Sequence, residues 1–165
     1  MSLRFAAGGL ALALPFVFAP ALAADDPGIA RMATCRDSWF DWQNKDPARL
    51  KAFGDRFRAS FVPKGDEGYF VPKTDATVAG LNVLRVYPGS VGMGVGFSLF
   101  VDAGFDKTRD ALARLTGKRL DKCETGDGMH SCELEIGPKR TFMLMADDNP
   151  KSHRTLIGCY YFYEK

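Results

Sequence analysis

His130 and His153 are the only two histidines in the chain, and proton-transfer chemistry near neutral pH would have to run through them. A nucleophilic triad can be written from Ser90, His153 and Asp102, but no motif holds the three together. There is no Gly-x-Ser-x-Gly elbow and no His-Glu-x-x-His helix. A second set is suited to a soft metal: Met143-x-Met145 with Met129-His130 could hold copper(I) in an exported protein. Against it, Met143 and Met145 alternate with Phe142 and Leu144 in what reads as a strand buried on both faces, where methionine fills gaps. Cys123, His130 and Cys132 offer zinc-type ligands without a fourth nearby. Catalysis, a resident metal and a cofactor are therefore not expected.

The unusual stretch is Tyr87-Pro88-Gly89-Ser90-Val91-Gly92-Met93-Gly94-Val95-Gly96-Phe97. Glycine at 92, 94 and 96 is not the Gly-x-Gly-x-x-Gly spacing of a phosphate cradle, and no strand-to-helix transition follows it. A projecting loop with bare backbone would let another protein approach closely, with Val91 and Met93 as apolar tips. That makes Ser90, Val91, Gly92, Met93 and Gly94 the candidate binding residues. The same pattern also fits a strand connection with bulges. Tyr160, Tyr161, Phe162 and Tyr163 could support a binding face, although alternation sends at least half of them into the core.

The elements that position these residues change character along the chain. Asp26-Pro27 and Asp46-Pro47 are helix starts. Ile29, Met32, Trp39 and Trp42 anchor the first helical region, and Leu50, Phe53, Phe57 and Phe61 stripe the second. Residues 63–68 read as a polar loop. Period-two patterning then predicts strands over 69–71, 81–87 and 95–101. A helix follows, capped by Asp106, carrying Ala111, Leu112 and Leu115 and closed by Gly117. Further strands are predicted over 119–123, 131–136, 140–146 and 155–163, the last apolar on both faces and so expected at the centre, covered on two sides. The fold class is α+β: N-terminal helices packed on a mostly antiparallel sheet with one inserted helix.

Asp127-Gly128 is the strongest local signal. As a type I′ turn it pairs Gly126 with Met129, Thr125 with His130, Glu124 with Ser131 and Cys123 with Cys132. The two cysteines then face each other at about 4.5 Å between Cα atoms, which is disulfide range. Continuing the register leaves Leu120 opposite Glu135, which a bulge near Lys122 would repair. Elimination pairs Cys35 with Cys159.

Residues 1–23 have the form of a secretory signal: Arg4, an apolar run, then Ala21-Leu22-Ala23 as a small-x-small cleavage site. The run is too short for a membrane span. With no cysteine at the cleavage point, no stable membrane anchor is expected. Residues 24–165 are long enough for a single domain and short for two. The 22 basic and 20 acidic residues of the chain are interspersed, which speaks against nucleic acid as a partner. Export, small size, disulfide bracing and a glycine stretch resemble the design of periplasmic lysozyme inhibitors and of immunity proteins against cell-wall-attacking toxins. No motif of theirs aligns residue by residue. The expectation is a periplasmic or secreted protein that binds another protein without catalysis. Small-ligand or copper binding, or hydrolysis, are the alternatives.

Overall fold

Each N-terminal helix begins where an aspartate meets a proline. The Asp26 carboxylate accepts from the backbone N–H of Gly28 (2.8 Å) and Ile29 (3.1 Å), and α1 runs Pro27–Ala33. Asp46 accepts from Arg49 N–H at 3.0 Å, and α2 runs Pro47–Ser60. The structure, a computed structural model, describes residues 25–39, 46–91, 94–137, 140–149 and 151–161, with only the backbone of Ser90, Val91 and Gly94. Residues 1–23, expected to be a secretory signal, lie outside them, as do Trp42, Gly92, Met93, Phe162 and Tyr163.

After α2 come β1 (Phe61–Lys64), β2 (Tyr69–Pro72), β3 (Thr77–Val78), β4 (Leu81–Val91) and β5 (Gly94–Asp102). The inserted helix α3 (Phe105–Thr116) follows, then β6 (Lys122–Gly126), β7 (Met129–Gly137), β8 (Arg140–Asp147) and β9 (Arg154–Tyr161). The nine strands form one sheet in the order β1-β2-β4-β5-β9-β8-β7-β6, with β3 on β4, and every strand pair is antiparallel. Three helices and this sheet make the described fold α+β.

One face of the sheet carries the core. Phe97, Leu99 and Val101 of β5 stand opposite Cys159, Ile157 and Thr155 of β9, which in turn face Phe142, Leu144 and Ala146 of β8. All the described helices meet this face. From α2, Phe53 and Phe57 bring their rings to within 5.9 and 6.2 Å of Phe97, and Trp39 lies 5.6 Å from it. Phe105 of α3 lies 5.4 Å from the His130 ring. Truncating one such ring to alanine typically costs about 3–5 kcal/mol.

The Asp127-Gly128 turn has positive φ at both residues (52° and 75°), as type I′ requires, and β6 pairs with β7 in the predicted register. Cys123 and Cys132 form a disulfide with Cα atoms 4.0 Å apart, and Cys35 and Cys159 form another at 5.1 Å. The first of these bridges excludes a metal site at Cys123, His130 and Cys132, because its sulfurs are no longer thiolates.

Several expectations are corrected. No bulge occurs at Lys122; the strand begins there in register with Glu133, so Leu120 leaves the ladder and is buried separately. The β6–β9 half bulges instead between Glu135 and Gly137. Asp106 lies in the first turn of α3 but does not cap it; Gly104 is the N-cap, without a side-chain bond. Pro63 and Lys64 belong to β1 rather than to a loop, because Phe61 is buried and pulls the strand start back to the helix end. β9 is central as predicted, and Thr155 to Tyr161 are buried on both faces, although the described helices pack on the core face alone. Met143 and Met145 on β8 are half-buried rather than enclosed.

Candidate binding surface

The second face owes its main feature to one extra residue. Val83 pairs with Val101 but Arg85 pairs with Phe100, so Leu84 is a bulge in β4. Without it, alternation would send Arg85 to the core side with Leu81 and Val83. With it, Val86 takes the core position, 0% exposed, and Arg85 and Tyr87 emerge on the opposite face. There the Arg85 guanidinium lies 4.6 Å from the Phe100 ring centroid, 5.5 Å from Tyr69 and 5.9 Å from Tyr87. Tyr87 in turn lies 5.5 Å from Tyr69 and 6.1 Å from Phe100. All four side chains are half-buried.

An apolar band extends the cluster across the sheet. Val71, paired with Val62 of β1, lies on its β2 side. On its β9 side are Leu156, Gly158 and Tyr160, which are buried, and beyond them the half-buried Met145 and Met143. Gly158 has no room for a side chain: a Cβ there would come within 2.7 Å of the Tyr160 ring and 2.9 Å of Ser98 Cβ. The Tyr160 ring therefore lies down over Gly158, and burial pushes its phenol above the usual range. The large hydrophobic side chains most open to solvent among the described residues are Val62 (37%) and Met129 (40%). By register both belong to this face, near its two ends. Tyr161 points the other way, into the core, where its hydroxyl donates to Asp37 O at 3.2 Å.

The predicted binding residues sit at the tip of the same β4–β5 hairpin. Ser90 pairs with Val95 and Val91 with Gly94, so the backbone here is strand and not a long projecting loop. Gly92 and Met93 lie outside the described residues. Two neighbouring glycines have structural reasons. Gly89 holds φ +139°, a conformation that side chains rarely adopt, and Gly96 opposite it backs onto the Cys159 carbonyl, which a Cβ would strike.

The chemical sets of the sequence are not assembled. Ser90 of β4 pairs with Val95 near one end of β5 and Asp102 ends that strand, about 23 Å away at ~3.3 Å per residue, which dissolves the triad. His130 pairs with Ala146 on the core face, whereas Met143 and Met145 pair with Glu133 and Ser131 on the other, so the copper set is split. His130 instead lines a polar cleft of about 500 Å³ with Phe105, Asp106, Glu124, Asp147 and Ser152. Its Nδ1 is held by the Thr125 hydroxyl at 2.9 Å, and Asp147 accepts from Asn149 N–H at 2.8 Å; no hydrogen bond joins His130 to Asp147 among the described residues.

The aromatic-arginine cluster was not among the sequence candidates. Its signal is the change of step from two to three in Leu81, Val83, Val86, which marks the bulge. No protein-family model matches the chain, and no curated protein or solved structure is significantly similar to it.

Proposed function

We propose that this is an exported, non-enzymatic protein that binds another protein through the second face of its sheet and the adjoining hairpin tip at Ser90, Val91, Gly92, Met93 and Gly94. An inhibitor or immunity protein against a cell-wall-attacking enzyme is the role in view. The observation that carries this reading is the half-buried cluster of Arg85 with Tyr69, Tyr87 and Phe100, on the same sheet face as the exposed Val62 and with no helix over it among the described residues. Tyrosine and arginine dominate binding hot spots, and a contiguous apolar patch on a sheet face marks an interaction site. Two disulfides suit an oxidising compartment, and no helix among the described residues is long and apolar enough to cross a membrane. Interspersed charge supports a protein rather than nucleic acid as the partner.

The test is capture from periplasmic extract, with mass spectrometry of what the mature protein retains, followed by affinity measurement with the purified partner. Val91→Asp with Met93→Asp should weaken binding by about 2 kcal/mol or more while leaving the melting temperature nearly unchanged. Loss of the fold in that variant would place the hairpin tip in the core, and unchanged affinity would place the contact elsewhere.

The polar cleft at His130 favours a second reading, small-ligand binding, because it gathers ionisable groups in a recess of about 500 Å³. Ligand screening by thermal shift, with His130→Ala as control, separates it from the first.

A further inference from the structure

Arg85 has no hydrogen-bond acceptor and no carboxylate partner among the described residues; its contacts are the rings of Tyr69, Tyr87 and Phe100. That is an unusual environment for a half-buried cation. Ion pairs are satisfied elsewhere in the protein: Arg31 and Arg49 share Asp37 at 2.7 and 3.1 Å, Arg58 has Asp55 at 2.7 Å, and Arg109 has Asp106 at 2.9 Å. Stacking on rings engages the flat faces of a guanidinium and restrains its side chain, leaving the fork of N–H donors in its plane. A donor fork of this kind matches a carboxylate in two parallel hydrogen bonds, and the apolar band around it would exclude water from the pair. The bulge at Leu84 serves this arrangement directly, since it takes the charge out of the core and sets it against Phe100.

We propose that Arg85 receives an acidic side chain, Asp or Glu, of the protein partner, with Tyr69, Tyr87 and Phe100 as the walls that hold the guanidinium in position. The inference rests on the protein-binding reading above and names the chemistry at the centre of its surface.

The experiment titrates the isotopically labelled mature protein with acetyl-Phe-Glu-Phe-amide and with the same peptide carrying Gln for Glu, following the Arg85 Nε–Hε resonance. The Glu peptide should shift that resonance and bind at least tenfold more tightly than the Gln peptide. In Arg85→Gln the discrimination should fall to about onefold, and Arg85→Lys should recover little of it, because an ammonium lacks the fork. Melting curves establish that both variants fold; if Arg85→Gln does not, Arg85→Lys carries the comparison. Equal binding of the two peptides, no binding of either up to millimolar concentration, or a response to inorganic phosphate stronger than to the Glu peptide would overturn the proposal. Its failure is separable from that of the broader reading. A captured partner whose affinity is indifferent to Arg85→Gln sinks only the carboxylate receptor. An extract that yields no partner while the peptide still discriminates sinks only the proposed role.

Discussion

Opening the two disulfides separately should rank them unequally. The Cys35–Cys159 bridge joins residues 124 apart in sequence and the Cys123–Cys132 bridge residues 9 apart. In the chain-entropy model the long loop stabilises by about 5 kcal/mol and the short one by about 3, a gap of about 2. The measurement is urea unfolding of the double alanine variants by circular dichroism. At a slope of about 2 kcal/mol per molar, the long-bridge variant should unfold about 1 M earlier than the hairpin variant. A finer term comes from Cys35, which ends the first helical segment at φ 60°, a left-handed conformation that costs an L-residue about 1–2 kcal/mol. With Cys159→Ala as common background, Cys35→Gly should therefore be about 1 kcal/mol more stable than Cys35→Ala. Equal midpoints for the two bridges, or a larger loss on opening the hairpin, would refute the loop-length argument. A Cys35→Gly variant no better than Cys35→Ala would refute the strain argument.

Other outcomes follow from single positions. Gly96→Ala should cost about 2 kcal/mol or more, because the added carbon meets the Cys159 backbone, whereas Gly126→Ala, with nothing nearby, should shift the melting temperature little. Tyr160 and Tyr161 have phenols raised by burial, so the folded pKa lies above the unfolded one. Stability is then fully present below about pH 10 and falls as pH climbs through the folded value; Tyr160→Phe should flatten that fall, seen in denaturation midpoints across alkaline pH. Intact mass of periplasmic material should show a chain beginning at Ala24; a mass retaining residues 1–23 would remove the export argument.

Local chemistry carried much of the fold into the sequence. A two-residue Asp-Gly turn admits one register, so the partners of Cys123, Thr125 and Lys122's neighbours followed from counting. The Asp-Pro starts were equally local. What escaped were features decided at a distance. β1 was hidden because Pro63-Lys64 has turn composition, and only pairing with β2 makes it a strand. Gly104 rather than Asp106 caps α3 because Thr108 N–H bonds the Gly104 carbonyl, setting the first turn two residues earlier. Alternation in β8 and β9 separated two faces correctly but carried no information on which the helices would cover. The candidate surface was half legible for that reason: the glycine hairpin stood out by composition, while the cluster at Arg85 needed a parity change that only strand pairing reveals.

A sheet that does not close leaves two outer strands whose backbone donors and acceptors face solvent, and such strands recruit other chains. Among the described residues they are β1 and β6. β1 is four residues long and carries Pro63, which has no N–H to offer, beside Lys64. β6 is exposed along its whole length, bears Lys122 and Glu124, and is pinned to β7 by the Cys123–Cys132 bridge. A strand fastened in this way cannot peel off to exchange with its counterpart in another molecule. The bridge with the smaller share in the stability of the fold thus also holds the rim of the sheet against strand exchange.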